Sequence, residues 1–149
     1  MKKHSTIILF LLLCLFTSVV SAENDSEIDS RINLNFTESE KNEFLSEMRQ
    51  MLASIQGIVS GIGREDRELI VRSARYSGNR MARNTPESIR QKLPQSFKEI
   101  GGPTHLMFEE LVIRAETDDM DTLTEFTGEL MRQCLACHAM FKIDLHRSK

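Results

Sequence analysis

From residue 37 onwards, apolar side chains recur every three or four positions, which is the period of an amphipathic helix. The clearest stretch follows Thr37-Glu38-Ser39-Glu40. This is a capping box, in which the threonine hydroxyl and the Glu40 carboxylate satisfy free backbone N–H groups at a helix start. Gly61 and Gly63 suit the end of the same helix. Its apolar stripe comprises Phe44, Leu45, Met48, Met51, Leu52, Ile55, Ile58, Val59 and Ile62.

Three further main helices follow from the same period. A second is predicted over about 65–81, and its polar face carries Arg67, Arg72, Arg75 and Arg80, which we interpret as solvated. A short helix should open at Pro86 and end before Pro94, and a turn over 95–100 should stop at Gly101-Gly102. The third main helix is predicted to begin at Pro103-Thr104, and the fourth after Asp118.

The pattern therefore indicates an all-α chain. No segment alternates in the manner of a strand, and four amphipathic helices in one small domain favour an antiparallel four-helix bundle.

The fourth helix carries Cys134-Leu135-Ala136-Cys137-His138, a C-x-x-C-H run near the end of the chain. This pentapeptide is the attachment signature of c-type haem: each thiol forms a thioether with the porphyrin, and the histidine binds the iron. On a helix, positions i, i+3 and i+4 share one face, so all three side chains can address one haem. Leu130 and Phe141 lie on that face and can pack against the macrocycle. We therefore predict one covalent haem c, with its iron, on the C-terminal helix.

The N-terminus has the pattern of a secretory signal peptide over residues 1–22. Lys2 and Lys3 precede an apolar stretch, and cleavage is expected after Ala22. The apolar stretch is too short to be read as a transmembrane helix, and no later segment predicts a membrane span. Haem attachment to such motifs takes place outside the cytoplasm, so both signals predict a periplasmic protein. Cys14 would be removed with the signal peptide.

Two regions are expected in the mature chain: a flexible acidic leader over 23–36 and a single cytochrome domain over 37–149. The formal charge of the whole chain is −3, and the loss of Lys2 and Lys3 takes it to −5. An acidic chain without a clustered basic face is not expected to bind nucleic acid. No acid–base pair or nucleophile arrangement indicates an enzyme.

Three other interpretations of the cysteine pair stay open. Cys134 and Cys137 could form a disulfide or a thioredoxin-type redox pair. They could bind zinc together with His138 and His146. The motif could also have arisen by chance.

The chain resembles the class II c-type cytochromes, the family of cytochrome c′ and cytochrome c-556. The similarity lies in Cys134-Leu135-Ala136-Cys137-His138 followed by Phe141-Lys142, and in Met48-Arg49-Gln50-Met51-Leu52 of the first helix. The resemblance implies an exported bundle that carries single electrons between redox partner proteins. Family members often dimerise through their first two helices, so it also implies a homodimer.

The resemblance also assigns roles on the far side of the iron. A methionine of the first helix would give six-coordinate iron suited to electron transfer, and Met51 is slightly favoured over Met48. If Leu52 faces the iron instead, the site stays open and would bind nitric oxide or carbon monoxide. Arg49 could pair with a haem propionate, and Lys142 could tune the histidine side.

His105 is a second candidate for the sixth iron ligand. The more ordinary interpretation is a histidine at a helix start that contacts a neighbouring loop.

Overall fold

The computed structural model describes residues 29–144. The predicted signal peptide, residues 23–28 of the predicted leader and His146 lie outside this range. Six helices and two very short strands make up the described chain. In chain order they are β1 (Ile32–Asn33), α1 (Glu38–Ile62), α2 (Arg67–Tyr76), α3 (Asn79–Asn84), α4 (Glu87–Lys92), α5 (Gln95–Thr117), α6 (Met120–Met140) and β2 (Phe141–Lys142).

The first helix begins and ends as its sequence predicts. The Thr37 backbone N–H donates to Glu40 Oε2 at 2.8 Å, and the Glu40 N–H donates to Thr37 Oγ1 at 3.3 Å. This is the reciprocal arrangement of a capping box. The Gly63 N–H then donates to the Val59 carbonyl at the other end. The prediction of a capped helix ending at the glycines is confirmed.

The second predicted helix is two helices, because the chain breaks at Ser77 and Gly78 between α2 and α3. Glu109 of α5 packs at this break. Its Oε1 accepts the N–H of Asn79 at 2.7 Å, at the first residue of α3. A Cβ on Gly78 would lie 2.7 Å from Glu109 Cδ, so the Glu109 side chain would have to shift to admit a larger residue. Helical periodicity does not reveal a contact made by a side chain far away in the sequence.

The predicted stop at Gly101-Gly102 and the new start at Pro103 are wrong, because α5 runs through all three residues. Phe97 and Phe108, on either side of this point, both turn inwards, so packing favours one continuous helix. The Thr104 hydroxyl donates to the Ile100 carbonyl at 2.8 Å, next to the proline that lacks an N–H. Tertiary packing thus outweighs the local preference of glycine and proline.

The last helix agrees with its prediction. Asp119 Oδ1 accepts the N–H of Thr122 at 2.8 Å and so caps the start of α6. Acidic side chains stabilise this end of a helix through its dipole. Because α6 extends to Met140, the whole cysteine–histidine motif is helical.

Within the described part of the predicted leader, residues 32–36 pack against the helices. β1 pairs with β2 in parallel, with Ile32 opposite Phe141, and the Leu34 N–H donates to the Lys142 carbonyl at 3.0 Å. Leu34 and Phe36 are buried. Their two apolar side chains, spaced as on a strand, fill a gap beside the helices, which the polar composition of this segment concealed.

The helix pairs in the most extensive contact are α1 with α2, α2 with α5, α5 with α6, and α6 with α1. They enclose two apolar clusters. We call the first the main core, formed by Ile55, Ile58, Ile70, Ala74, Phe108, Leu111, Ala115, Leu123 and Leu130. We call the second the aromatic cluster, formed by Leu34, Phe36, Phe44, Ile89 and Phe141 with Phe97 packed against it.

The described chain is therefore mostly helical, and the all-α prediction is confirmed. Within residues 29–144, no helix is both long enough and apolar enough to cross a membrane.

Candidate haem-attachment site

The cysteine–histidine motif occupies the last two turns of α6. Cys134 and Cys137 are half-buried and are not bonded to each other, whereas the His138 side chain is exposed. The helix gives the three side chains the i, i+3, i+4 spacing that places them on one face. Two free thiols and an accessible imidazole thus lie together at one end of the molecule.

The surroundings of the two thiols keep them protonated. Burial raises the pKa of Cys134, and burial together with the nearby Cys134 raises the pKa of Cys137 to about 11. The Cys134 thiol contacts the Leu130 carbonyl at 3.6 Å, and Cys137 packs against the aromatic cluster. Metal binding and thiol–disulfide exchange both require the thiolate. This environment therefore disfavours the redox-pair interpretation, whereas a bound zinc ion would itself deprotonate its thiol ligands, so the zinc interpretation stays open.

Among residues 29–144, no three His, Cys, Asp or Glu side chains come close enough together to hold a metal ion. A zinc site at the motif would therefore need a ligand from outside this range, such as His146.

Several apolar side chains of α1 and α6 face solvent. We use the name α1–α6 flank for Leu52 and Val59 of α1 and Met131 and Leu135 of α6. Leu52 and Leu135 are each 69% exposed, Val59 is 53% exposed and Met131 is 45% exposed. Of these four, Leu135 lies within the motif and Met131 lies one turn before it.

Helical geometry shows which neighbouring helix each half of the flank turns away from. The contacts of α1 with α2 pass through Gly57 and Gly61, so Leu52 and Val59 lie on the side of α1 turned away from α2. On α6, Phe126 faces Arg114 of α5 at 4.5 Å, whereas Met131 lies on the side turned away from α5. Among the four helix pairs, α1 and α6 make the least extensive contact.

The residues present fit a haem at this place. The macrocycle is flat and apolar, so it would cover exposed apolar side chains near the motif such as Met131 and Leu135. The thioether donors and the iron ligand required for a c-type haem come from α6 beside it.

The three residues predicted as candidates for the far side of the iron, away from His138, lie in different surroundings. Met51 packs against the main core, whereas Met48 packs against the aromatic cluster, as does Cys137. Leu52 is exposed on the α1–α6 flank. Met51 as the ligand stays a prediction, and the structure brings Met48, not Met51, into the same cluster as a motif cysteine.

The other residues singled out by the sequence are also accounted for. Arg49 is exposed on α1. Phe141 is buried, with its ring centroid 5.2 Å from that of Phe97 in an edge-on contact. Lys142 pairs with Asp144 at 2.9 Å and with Asp29 at 3.5 Å, and these carboxylates raise its pKa.

His105 lies in the middle of α5, because that helix begins earlier than predicted. Its Nδ1 lies 2.7 Å from the Ser77 carbonyl, a distance at which a protonated Nδ1 donates a hydrogen bond. The contact with a neighbouring loop is therefore present, which is the ordinary interpretation of this histidine.

Sequence reasoning missed one residue next to the motif. Arg31 Nη1 donates to the His138 carbonyl at 3.3 Å, and Asp29 holds the same guanidinium through Oδ2 at 2.8 Å. The strand-like spacing of Leu34 and Phe36 was the one signal that this segment packs onto the domain.

No protein-family model, no curated protein and no solved structure matches this chain. The likeness to class II c-type cytochromes consequently rests on the motif, the first-helix residues and the helical layout.

Proposed function

We propose that this protein is an exported monohaem c-type cytochrome of the class II type, built as an antiparallel four-helix bundle, that carries single electrons between periplasmic redox partners. The observation that carries the proposal is the grouping on α6 of two free thiols and an accessible imidazole, next to the exposed apolar side chains of Met131 and Leu135. The ring of contacts through α1, α2, α5 and α6 supports the bundle.

Each motif residue has a defined part in this proposal. Cys134 and Cys137 would each add their S–H bond across one vinyl group, so that sulfur bonds to one carbon, the proton goes to the other, and nothing is oxidised. His138 would bind the iron through its free ring nitrogen. A bound haem supplies one-electron cycling between ferric and ferrous iron.

The protein around the motif would contribute apolar cover and fixed charges. The rings of Phe141 and Phe97 pack on the side of α6 that carries the cysteines. Arg31 and Lys142 lie next to the end of the helix that carries His138. Apolar cover limits water around the iron, and a methionine ligand at the second axial position raises the reduction potential. Met51 is the predicted ligand, and the packing of Met48 makes that residue its direct competitor.

The test is to express the full chain in a host with c-type haem assembly and to record oxidised and reduced optical spectra together with the protein mass. We expect the mass of one haem to be retained after denaturation. The Cys134→Ala/Cys137→Ala variant should retain none, while His138→Ala should keep the covalent ring but lose the native axial ligation. A wild-type protein with no haem absorbance would overturn the proposal and leave a haemless helical protein.

The methionine question has a matched pair of variants. A methionine–iron charge-transfer band in the wild type should disappear in either Met51→Leu or Met48→Leu and persist in the other. If the band is present and survives both changes, neither methionine is the ligand.

The second candidate function is the binding of nitric oxide or carbon monoxide at an open iron site. It is favoured by one observation: Leu52 is exposed on the α1–α6 flank, whereas Met48 and Met51 are both packed. A high-spin wild-type spectrum that shifts on adding carbon monoxide would select this function. A low-spin spectrum insensitive to carbon monoxide would select electron transfer.

A further inference from the structure

A shallow depression on the side of the molecule formed by α2 and α3 is lined by three arginines and the only tyrosine of the chain. Its lining residues are Arg72, Arg75, Tyr76 and Arg80, and its volume is about 410 Å³. We call it the basic depression. The proposed haem site uses none of these residues.

The charge of this surface is opposite to that of the whole protein. The chain carries a net charge of −3, yet residues 69–86 contain four arginines and no aspartate or glutamate. Arg72 pairs with Glu68 on the same helix. For Arg75 and Arg80, no carboxylate of residues 29–144 lies within ion-pair distance. Two unpaired guanidinium groups are therefore available to an anion.

The chemistry of the lining suits phosphate esters at a surface. A guanidinium group presents a planar set of donors that matches phosphate oxygens. Tyr76 is 58% exposed and combines an apolar ring with a polar hydroxyl, the combination found at the boundary between lipid headgroups and acyl chains.

The openness of the depression distinguishes a surface occupant from an enclosed ligand. Ligand sites for small molecules are concave and enclose most of the ligand, unlike this open surface. An anionic bilayer requires neither an enclosed pocket nor a matched shape, because the attraction is electrostatic and spread over several cations.

We propose that the basic depression docks the protein on the surface of an anionic phospholipid membrane, with Arg75 and Arg80 receiving headgroup phosphates and Tyr76 lying at headgroup level. This is peripheral binding to the bilayer surface. It goes beyond the proposed cytochrome function and does not depend on it, because none of its residues belongs to the haem site.

The experiment measures co-sedimentation of the full protein with phosphatidylglycerol-containing vesicles and with purely phosphatidylcholine vesicles. We expect binding to the anionic vesicles only, weakening as salt is added because the attraction is screened. The Arg75→Ala/Arg80→Ala variant should bind about 30-fold more weakly. The control variant Lys98→Ala/Arg132→Ala removes the same charge from exposed positions elsewhere and should bind as the wild type does.

Tyr76 provides a second readout. Tyr76→Phe keeps the ring and should bind anionic vesicles as the wild type does, whereas Tyr76→Ala removes the ring and should bind them more weakly. Equal binding of Tyr76→Ala and the wild type would contradict a place for Tyr76 at headgroup level.

Three results would overturn the proposal. One is the absence of binding to anionic vesicles, and another is an equal loss of binding in both double variants, which would reflect net charge only. The third is tighter binding of poly-glutamate than of vesicles at the depression, which would indicate an acidic protein as the occupant. Free inorganic phosphate should displace vesicles no more than an equal ionic strength of chloride does.

Discussion

The two apolar clusters of this protein are built in different ways. The main core draws its residues from α1, α2, α5 and α6 alone, and most of its members are aliphatic. The aromatic cluster is assembled from the N-terminal segment, α1, α4, α5 and β2. Its rings form a chain, with centroid distances of 5.2 Å from Phe36 to Phe44, 5.8 Å from Phe44 to Phe97 and 5.2 Å from Phe97 to Phe141.

This difference separates the part that holds the helices together from the part that adjoins the motif. Cys137 and Met48 pack against the aromatic cluster, and Met51 packs against the main core. We therefore expect changes in the main core to alter global stability, and changes in the aromatic cluster to alter the surroundings of the cysteines as well.

The largest expected effect is that of Phe108→Ala. Phe108 is completely buried in the main core, so its truncation removes apolar contacts and leaves a cavity. We expect the free energy of unfolding to fall by about 4 kcal/mol, measured by urea denaturation. If the proposed haem is bound, the absorption spectrum of the protein that remains folded should not change. If the free energy of unfolding of this variant falls by less than about 1 kcal/mol, the main core does not determine global stability as we expect.

Phe36→Ala tests the aromatic cluster and the N-terminal segment together. Phe36 is 4% exposed, and we expect a loss of about 3 kcal/mol in the free energy of unfolding. Ile32, in the same segment, is 46% exposed, so Ile32→Ala is the matched control and should cost less than about 1 kcal/mol. Equal and negligible losses of stability in both variants would instead support the prediction that this segment is a flexible leader.

The same comparison explains what the sequence could predict. The main core follows from helical period alone, because residues such as Ile55, Ile58 and Leu130 repeat at three- and four-residue steps within their own helices. The boundaries of α1 and α6 were also predictable, since Thr37 and Asp119 cap their helices through local side-chain contacts. Local chemistry was sufficient wherever the interacting residues are neighbours in sequence.

The remaining features depend on residues far apart in the chain. The start of α3 depends on Glu109, which accepts the Asn79 N–H, and α5 continues through Pro103 because both of its halves pack inwards. The pairing of Ile32 with Phe141 joins the two ends of the described chain. For the candidate site, the helix face of Cys134, Cys137 and His138 could be predicted, whereas the neighbouring Arg31 could not.

Two glycines, each inside a helix and so with the same intrinsic helix propensity, allow the same kind of comparison for contacts between helices. A Cβ on Gly57 would lie 2.8 Å from Ser73 Cβ, whereas a Cβ on Gly128 would meet no atom within 4 Å. We expect Gly57→Ala to force α1 from α2 and to cost about 1–3 kcal/mol. Gly128→Ala should instead stabilise the protein by about 0.5–1 kcal/mol, because alanine favours the helix. Thermal unfolding of the two variants measures both effects, and a shift of the same sign in both would contradict this assignment.

The smallest expected effect concerns pH at the start of α1, beside the aromatic cluster. Lys92 of α4 and the Thr37 backbone N–H both bind the Glu40 carboxylate, at 2.5 Å and 2.8 Å, and they lower the pKa of Glu40 to about 2. Because this pKa is below that of the unfolded chain, near 4.5, the contribution to stability is complete above pH 4.5 and is lost as the pH falls towards 2.

Amide hydrogen exchange of the folded protein at pH 5 and pH 2.5 measures this loss region by region, after correction for the intrinsic pH dependence of exchange. Protection of the first turn of α1 should decrease more than that of the main-core amides near Ile58. Glu40→Gln keeps a capping side chain but cannot ionise, so this variant should show no such difference between the two regions. If wild-type protection falls equally in both regions, acid acts on the whole fold, and the two clusters do not unfold as separate units.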